Sequence, residues 1–359
     1  MKKLFIFLLC LYSTTVSAQD CDREALKTLP GKWLPQPGYS VTGKLSAAEI
    51  AGAKKVLNQI QQMFQEKYKP VGMDAYHHHH YLKDDAADKN NYGNNATYTI
   101  RNFLLVCVKG RKETSAEGVG SFVRINPGGM FGEKLSEIPV YDEYGKINSS
   151  PGFYGFSASD CPGGKLPDFS DGYHIVERVN SYAVWISREG RQPFRYVSRK
   201  EFLEKQVAIC EAELKEKNKY YSSKGWKENL EKFPQSRGDM LNSMKQTLAI
   251  YEMPLQAYRQ DLQKDADWLN EMAIVNYLST TGPGTKNNYM RYNFTTLDNI
   301  YMFVPIMPNP GYYNRSLPKW TPQFIRIDVR EANQFISKNV RKLVEENIDF
   351  FKSLLTNRE

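Results

Sequence analysis

The chain lacks most of the short signatures that name a reaction. It has no CxxC pair, so neither a thiol–disulfide motif nor a zinc ribbon is encoded. It has no G-x-S-x-G elbow, and "GFSAS" (155–159) is only a serine stretch among small residues. The glycine-rich segments "NPGGMFG" (126–132) and "CPGGK" (161–165) lack the phosphate-loop spacing G-x-x-x-x-G-K-[ST] and read as tight turns. No long basic block is present. The formal net charge of +8 is spread over segments of mixed sign, which argues against a nucleic-acid partner. Histidine is scarce: five residues in 359, four of them adjacent at His77 to His80.

What is present begins with a leader. "MKKLFIFLLCLYSTTVSA" has a basic start at Lys2 and Lys3, a short apolar run from Leu4 to Tyr12, and small residues Val16-Ser17-Ala18. That is the layout of a secretory signal peptide (1–18) cleaved near Ala18. The run is shorter than the ~20 apolar residues that cross a bilayer. No later stretch reaches that length, so the mature chain is expected to be secreted or periplasmic, without a transmembrane segment. Four cysteines follow the leader, Cys21, Cys107, Cys161 and Cys210. In an oxidising compartment they permit disulfides, in any of three pairings. Cys107 and Cys210 also sit on apolar faces that suit buried thiols.

Periodicity divides the rest. Residues 19–195 read as an α+β region. A proline- and glycine-rich lead-in places Trp33 against the core. Ser46-Ala47-Ala48-Glu49 is a capping box, followed by Ile50, Ala53, Leu57, Ile60 and Phe64 at helical spacing. Strands are expected at 97–110 and 118–127, with "RKETSAE" as a hairpin loop between them. A second pair is expected at 173–179 and 181–187. Residues 196–280 read as an inserted helical hairpin. Its first helix is capped at Ser198-Arg199-Lys200-Glu201, with the pairs Glu201–Lys205, Glu211–Lys215 and Glu213–Lys217 on an exposed face. A seam from Leu241 to Met272 forms its return, and Pro254 predicts a kink or break. Residues 281–359 supply short strands at 289–294, 299–306 and 323–329. An amphipathic helix over 331–355 carries Phe335, Ile336, Leu343, Val344, Phe351 and Leu355. The expected fold is α+β: one mostly antiparallel sheet, an inserted helical hairpin, and flanking N- and C-terminal amphipathic helices.

The histidine run is the first chemical candidate. On a strand, side chains alternate faces, so His77 and His79 share one side. Two such residues can ligate zinc or copper if a third ligand arrives. His174 is the remaining histidine, with Asp84, Asp85 and Asp88 as nearby carboxylates. A metal site at His77, His79 and His174 would suit zinc; the plainer reading of 76–81 is a polar, tyrosine-flanked strand without a cofactor. "DKNNYGNN" (88–95) echoes a calcium loop but has Thr99 where a bidentate glutamate belongs, and reads as a turn. Ser157 or Ser159 with His174 lacks the acid that would complete a triad. Aromatic residues are abundant at 13% and gather in turn-rich segments: Tyr154 and Phe156, Tyr312 and Tyr313, Trp320. Such residues either stack on a ligand or close the core beneath long loops.

"YVSRKEFLEKQ" (196–206) and "VPIMPNPGYYNRSLPKWTPQFIRID" (304–328) resemble segments of exported proteins of Bacteroidota-type bacteria with no assigned activity. The resemblance implies a Gram-negative envelope location and supplies no catalytic residue. The leading functional expectation is a soluble exported protein that binds a glycan, peptide or envelope protein through its loop aromatics and hairpin. The alternative is a secreted hydrolase on glycans or peptides, metal-assisted through His77, His79 and His174.

Overall fold

The structure is a computed structural model that describes residues 22–35, 38–82, 95–109, 111–126, 133–134, 153–178, 181–281, 288–330 and 334–355. Its elements, in chain order, are α1 (Arg23–Leu26), β1 (Tyr39–Thr42), α2 (Ala47–Lys67), β2 (Met73–Leu82), β3 (Asn95–Val108), β4 (Arg111–Ile125), β5 (Glu133–Lys134), β6 (Tyr154–Ser157), β7 (Tyr173–Arg178), β8 (Ser181–Ile186) and β9 (Phe194–Tyr196). There follow α3 (Arg199–Ser222), α4 (Lys224–Lys232), α5 (Arg237–Asp261), α6 (Ala266–Asn270), β10 (Val275–Thr281), β11 (Asn288–Phe294), β12 (Met302–Pro308), β13 (Ile325–Arg330), α7 (Gln334–Glu345) and α8 (Ile348–Ser353). The fold is α+β with mostly antiparallel sheets. Both capping boxes form: the Ser46 and Ser198 hydroxyls accept from the Glu49 and Glu201 amides, and each glutamate reaches back to its cap.

The strands do not build one sheet. They sort into a seven-stranded sheet, ordered β1-β2-β3-β4-β13-β8-β7, and a second sheet, ordered β11-β10-β12-β6-β5, with β9 also paired to β12. Among the described strands only β1 runs parallel to its neighbour, β2. Two compact units result. The described parts of the first lie within Met1–Gly128, Asp168–Arg191 and Tyr313–Glu359; those of the second lie within Gly129–Pro167 and Gln192–Tyr312. The insertion is therefore larger than the helical hairpin expected over 196–280: it carries its own sheet, built partly from residues assigned above to the flanking regions.

In the first unit, one face of the seven-stranded sheet packs under α2, α7 and α8. Leu57, Ile60 and Phe64 of α2 meet Tyr98, Ile100, Val184 and Ile327 of the sheet, and Val344 and Phe351 close the other end. The expected C-terminal helix is interrupted at Asn347. Its buried side chain donates to the Leu343 carbonyl at 2.7 Å and accepts from the Lys67 ammonium. The side chains of Phe335 and Ile336 lie outside the described residues. Trp33 docks on this core as expected. "RKETSAE" is not a loop. Arg111 to Thr114 pair with Val108 to Leu105, past an irregularity between Phe103 and Leu105, and the chain turns at Lys109. The exposed end of a two-stranded ribbon tolerates these charges, which is why their polarity misled.

In the second unit, α3 and α5 pack antiparallel through Leu203, Cys210, Tyr251, Leu255 and Tyr258. Helix α5 runs through Pro254 without a break, and the helical seam expected as far as Met272 is interrupted after Asp261, where α6 and then β10 follow. The expected Glu201–Lys205 and Glu211–Lys215 pairs are replaced: Glu201 binds Arg195 at 2.8 and 2.9 Å, and Glu211 binds Arg259 at 2.6 Å. The Arg195 guanidinium holds the Glu201 carboxyl below its ordinary pKa. No disulfide joins the described cysteines. Cys107, Cys161 and Cys210 all stand as thiols, the last two buried, so none is bridged to another; Cys21 lies outside the described residues.

Candidate functional site

The histidine run forms part of β2, and alternation separates its members as expected. His77 and His79 point into the core face, each 3% exposed, with ring centroids 6.4 Å apart. His78 and His80 point the other way, to the Ser40 and Thr42 hydroxyls of β1 at 2.8 and 2.9 Å. Burial lowers the pKa of His77. His79 is pushed down to about 4 by burial first, then by His77, His78 and Lys54. His77 Nδ1, His79 Nε2, Tyr98 Oη and Trp33 Nε1 are buried without a hydrogen-bond partner among the described residues.

His174 does not join them. Cross-strand partners share a face, and the row through His77 runs Ile100, Ser121, Val329, Tyr182, Glu177. The odd-numbered residues of β7 therefore lie on the face of His77, and His174 lies on the opposite one. Four strands also stand between β2 and β7. At ~4.8 Å per strand the separation is about 24 Å. The metal set His77, His79 and His174 is not assembled. Among the described residues no group of three or more His, Cys, Asp or Glu converges. Asp84, Asp85, Asp88 and most of the calcium-like loop lie outside the described residues.

The serine and aromatic candidates also resolve. The Ser157 hydroxyl donates to Asp160 Oδ2 at 2.7 Å as a cap; Ser157 and Ser159 belong to the second unit and His174 to the first. Phe156, Tyr312 and Tyr313 close the core instead of lining a ligand surface. Phe156 is fully buried, edge-on to Phe194 at 4.9 Å between ring centroids. Tyr312 and Tyr313 are buried in their respective units. Trp320 is half-buried on α2, where Gly52 leaves room for its indole: a Cβ there would meet the ring at 2.4 Å. The side chain of Tyr154 lies outside the described residues.

A different constellation forms where the hairpin meets the second sheet. The Ser198 cap starts α3 with Arg199 in its first turn, and the Arg199 amide donates to the Glu271 carbonyl at 2.8 Å. Asp265 caps α6 by accepting from the Trp268 amide at 2.8 Å, which fixes the indole beside Arg199. On β11, Arg291 and Asn293 fall on one face and Tyr292 on the other; the buried Tyr258 hydroxyl takes the Tyr292 amide at 3.0 Å and sets that register. Arg199, Asp261, Lys264, Trp268, Arg291, Asn293, Phe294, Thr295 and Thr296 then line a cleft of about 430 Å³, a size typical of small-molecule sites.

Its charges are arranged and partly spare. Asp261 pairs with Lys264 at 2.9 Å and more loosely with Arg291 at 3.9 Å. Arg199 gives one terminal nitrogen to Glu271 at 2.7 Å, and its guanidinium lies over the rings of Trp268 and Phe294 at 4.6 and 5.4 Å. The ammonium of Lys264 lies 3.9 Å from the Trp268 ring centroid. Arg199 Nε is buried and has no hydrogen-bond partner among the described residues. Three cations face one carboxylate among the lining residues, on an aromatic floor, and no histidine lines the cleft. Sequence reasoning missed this site because its members come from three separated segments, 199, 261–268 and 291–296. The one local sign was the capping box that places Arg199. No protein-family model, no curated protein and no solved structure matches the chain.

Proposed function

We propose that this chain is an exported binding protein whose cleft at the hairpin root takes a small ligand bearing an acidic group, such as a sugar acid or the carboxylate of a peptide. The carrying observation is Arg199. Its Nε is desolvated and unpaired among the described residues, and a buried guanidinium donor without an acceptor costs ~1–3 kcal/mol. An incoming carboxylate would recover that cost through a charge-assisted bond, with Arg291, Asn293 and the two threonines within the same cleft. Trp268 and Phe294 supply the apolar contact that ligand pockets use alongside a few convergent polar groups. Export rests on the leader and on the likeness to exported bacterial proteins; no described helix is long and apolar enough to cross a membrane. No observation favours the metal-assisted hydrolase.

The test is a thermal-shift series with uronic acids and C-terminal dipeptides against matched neutral sugars and dipeptide amides. The expected result is stabilisation by acidic members only, lost in Arg291→Met and Lys264→Met. Equal response to neutral members, or an unchanged response in both variants, refutes the reading.

A further inference from the structure

The far end of the hairpin carries a surface independent of the cleft. Helix α3 is 24 residues long, about 36 Å. Its last buried residue is Cys210, so about 18 Å of it lies beyond that residue, with Leu214 packed on the core one turn further. Helix α4 has no buried residue, and the first buried residue of α5 is Tyr251. This distal part carries aromatic side chains where a solvated hairpin needs none. Trp226 sits edge-on to Tyr221 and tilted against Tyr220, with ring centroids 4.9 and 5.7 Å away. Tyr220 is 54% and Phe233 48% exposed. Trp226 and Leu230 recur at helical spacing on α4, and Phe233 follows as its C-cap.

Charge is segregated along the same hairpin. Residues 215–237 hold seven basic and three acidic residues, a net of +4; 199–214 and 238–262 together hold five basic and seven acidic, a net of −2. Lys219, Lys224, Lys227 and Lys232 are exposed around the aromatic cluster, and the Lys232 ammonium lies 5.6 Å from the Phe233 ring centroid. A helical tip bearing amphipathic rings among lysines matches the boundary of an anionic bilayer. There aromatic rings lodge at the headgroup level, lysine stems lie along apolar surface, and each ammonium near the surface gains attraction.

We propose that the hairpin tip, Tyr220 to Phe233, docks the protein peripherally on a membrane surface rich in anionic lipid. The experiment is co-sedimentation of the full chain with sucrose-loaded vesicles of phosphatidylcholine, with and without one-third phosphatidylglycerol. Binding to the anionic vesicles should be at least about tenfold tighter than to neutral ones and should weaken as salt rises. Lys219→Glu/Lys224→Glu/Lys227→Glu should weaken it at least about tenfold, and Tyr220→Ser/Phe233→Ser several-fold, both without a change in melting temperature, since these side chains are exposed. Lys338→Glu/Lys342→Glu, on α7, should change nothing. Absent binding, equal binding to neutral vesicles, or insensitivity to the tip variants overturns the proposal. So does binding that inorganic polyphosphate removes completely while Tyr220→Ser/Phe233→Ser has no effect, because that pattern defines a soluble polyanion site.

Discussion

Acidification should loosen the first unit through one buried side chain. His79 is neutral in the fold, its pKa pushed from 6.5 down to about 4, because the core between β2, β3 and α2 desolvates it. The unfolded chain takes up a proton near pH 6.5 that the folded chain refuses until about pH 4. Stability is therefore full above pH 6.5, falls through that window, and stops falling from this source below it. At 1.36 kcal/mol per pH unit, His79 alone removes about 2–3 kcal/mol by pH 4.5. His77, lowered by the same burial, adds loss in the same direction. Asp168 of this unit, held below its ordinary 3.8 by the Ser170 amide and hydroxyl, contributes mainly below that value, and Glu201, held below its ordinary 4.5, belongs to the second unit. Amide exchange in 73–82 and 95–105 under native conditions, corrected for intrinsic rates, reports the opening free energy of this unit directly. Between pH 7 and pH 4.5 it should drop in the wild-type chain. In His79→Leu the drop should shrink by about 2–3 kcal/mol, and in His77→Leu/His79→Leu it should shrink further, leaving the part owed to His78, whose pKa burial also lowers. An equal drop in the wild type and the double variant refutes the assignment.

Three further outcomes follow from close packing and burial. Gly31→Ala should cost more than about 3 kcal/mol or abolish soluble expression, because its Cβ would lie 1.6 Å from the Met73 carbonyl oxygen; urea midpoints measure it. Tyr258→Phe should cost about 1–3 kcal/mol, since the buried Tyr292 amide loses its acceptor, and its unfolding should begin in the second unit. Brief treatment with iodoacetamide at pH 8 should modify Cys107 ahead of Cys161 and Cys210, as mass spectrometry of peptides would show: Cys107 is half-buried, whereas burial and then the Asp160 charge push the Cys161 thiol up to about 12.

Features set by neighbours in sequence were legible, and features set by distant partners were not. The boxes at Ser46 and Ser198 span four residues each, and both form. The alternation of 73–82 is inherent in an extended backbone, so the split of His77 and His79 from His78 and His80 could be read directly. The third histidine could not, because its face depends on the parity of five successive pairings across the sheet. The same holds for the two sheets. Strands β12 and β13 are neighbours in sequence, yet pair in different sheets. Loop aromatics look alike in sequence whether they cover a core or meet a ligand; burial of Phe156, Tyr312 and Tyr313 decides for the core.

The hairpin itself calls for an explanation in energetic terms. Ordering a residue costs roughly 1–2 kcal/mol of backbone entropy, normally offset by burial. Helices α3 and α5 are long, yet their buried positions cluster at the root: Phe202, Leu203, Gln206 and Cys210 on one, Tyr251, Pro254, Leu255 and Tyr258 on the other. Beyond them the seam of Leu241, Met244 and Leu248 is only half-buried, because two helices side by side cover one face of each and leave the rest to water. A hairpin needed only to complete the core could stop near Cys210. What its length adds is position. The root fixes Arg199 and Asp261 on either side of a cleft, while the extension holds lysines and aromatic rings about 18 Å beyond the last buried residue. Shortening α3 and α5 by matched turns after Leu214 and before Ile250 should therefore leave the cleft and the core of the second unit in place while removing whatever the tip engages.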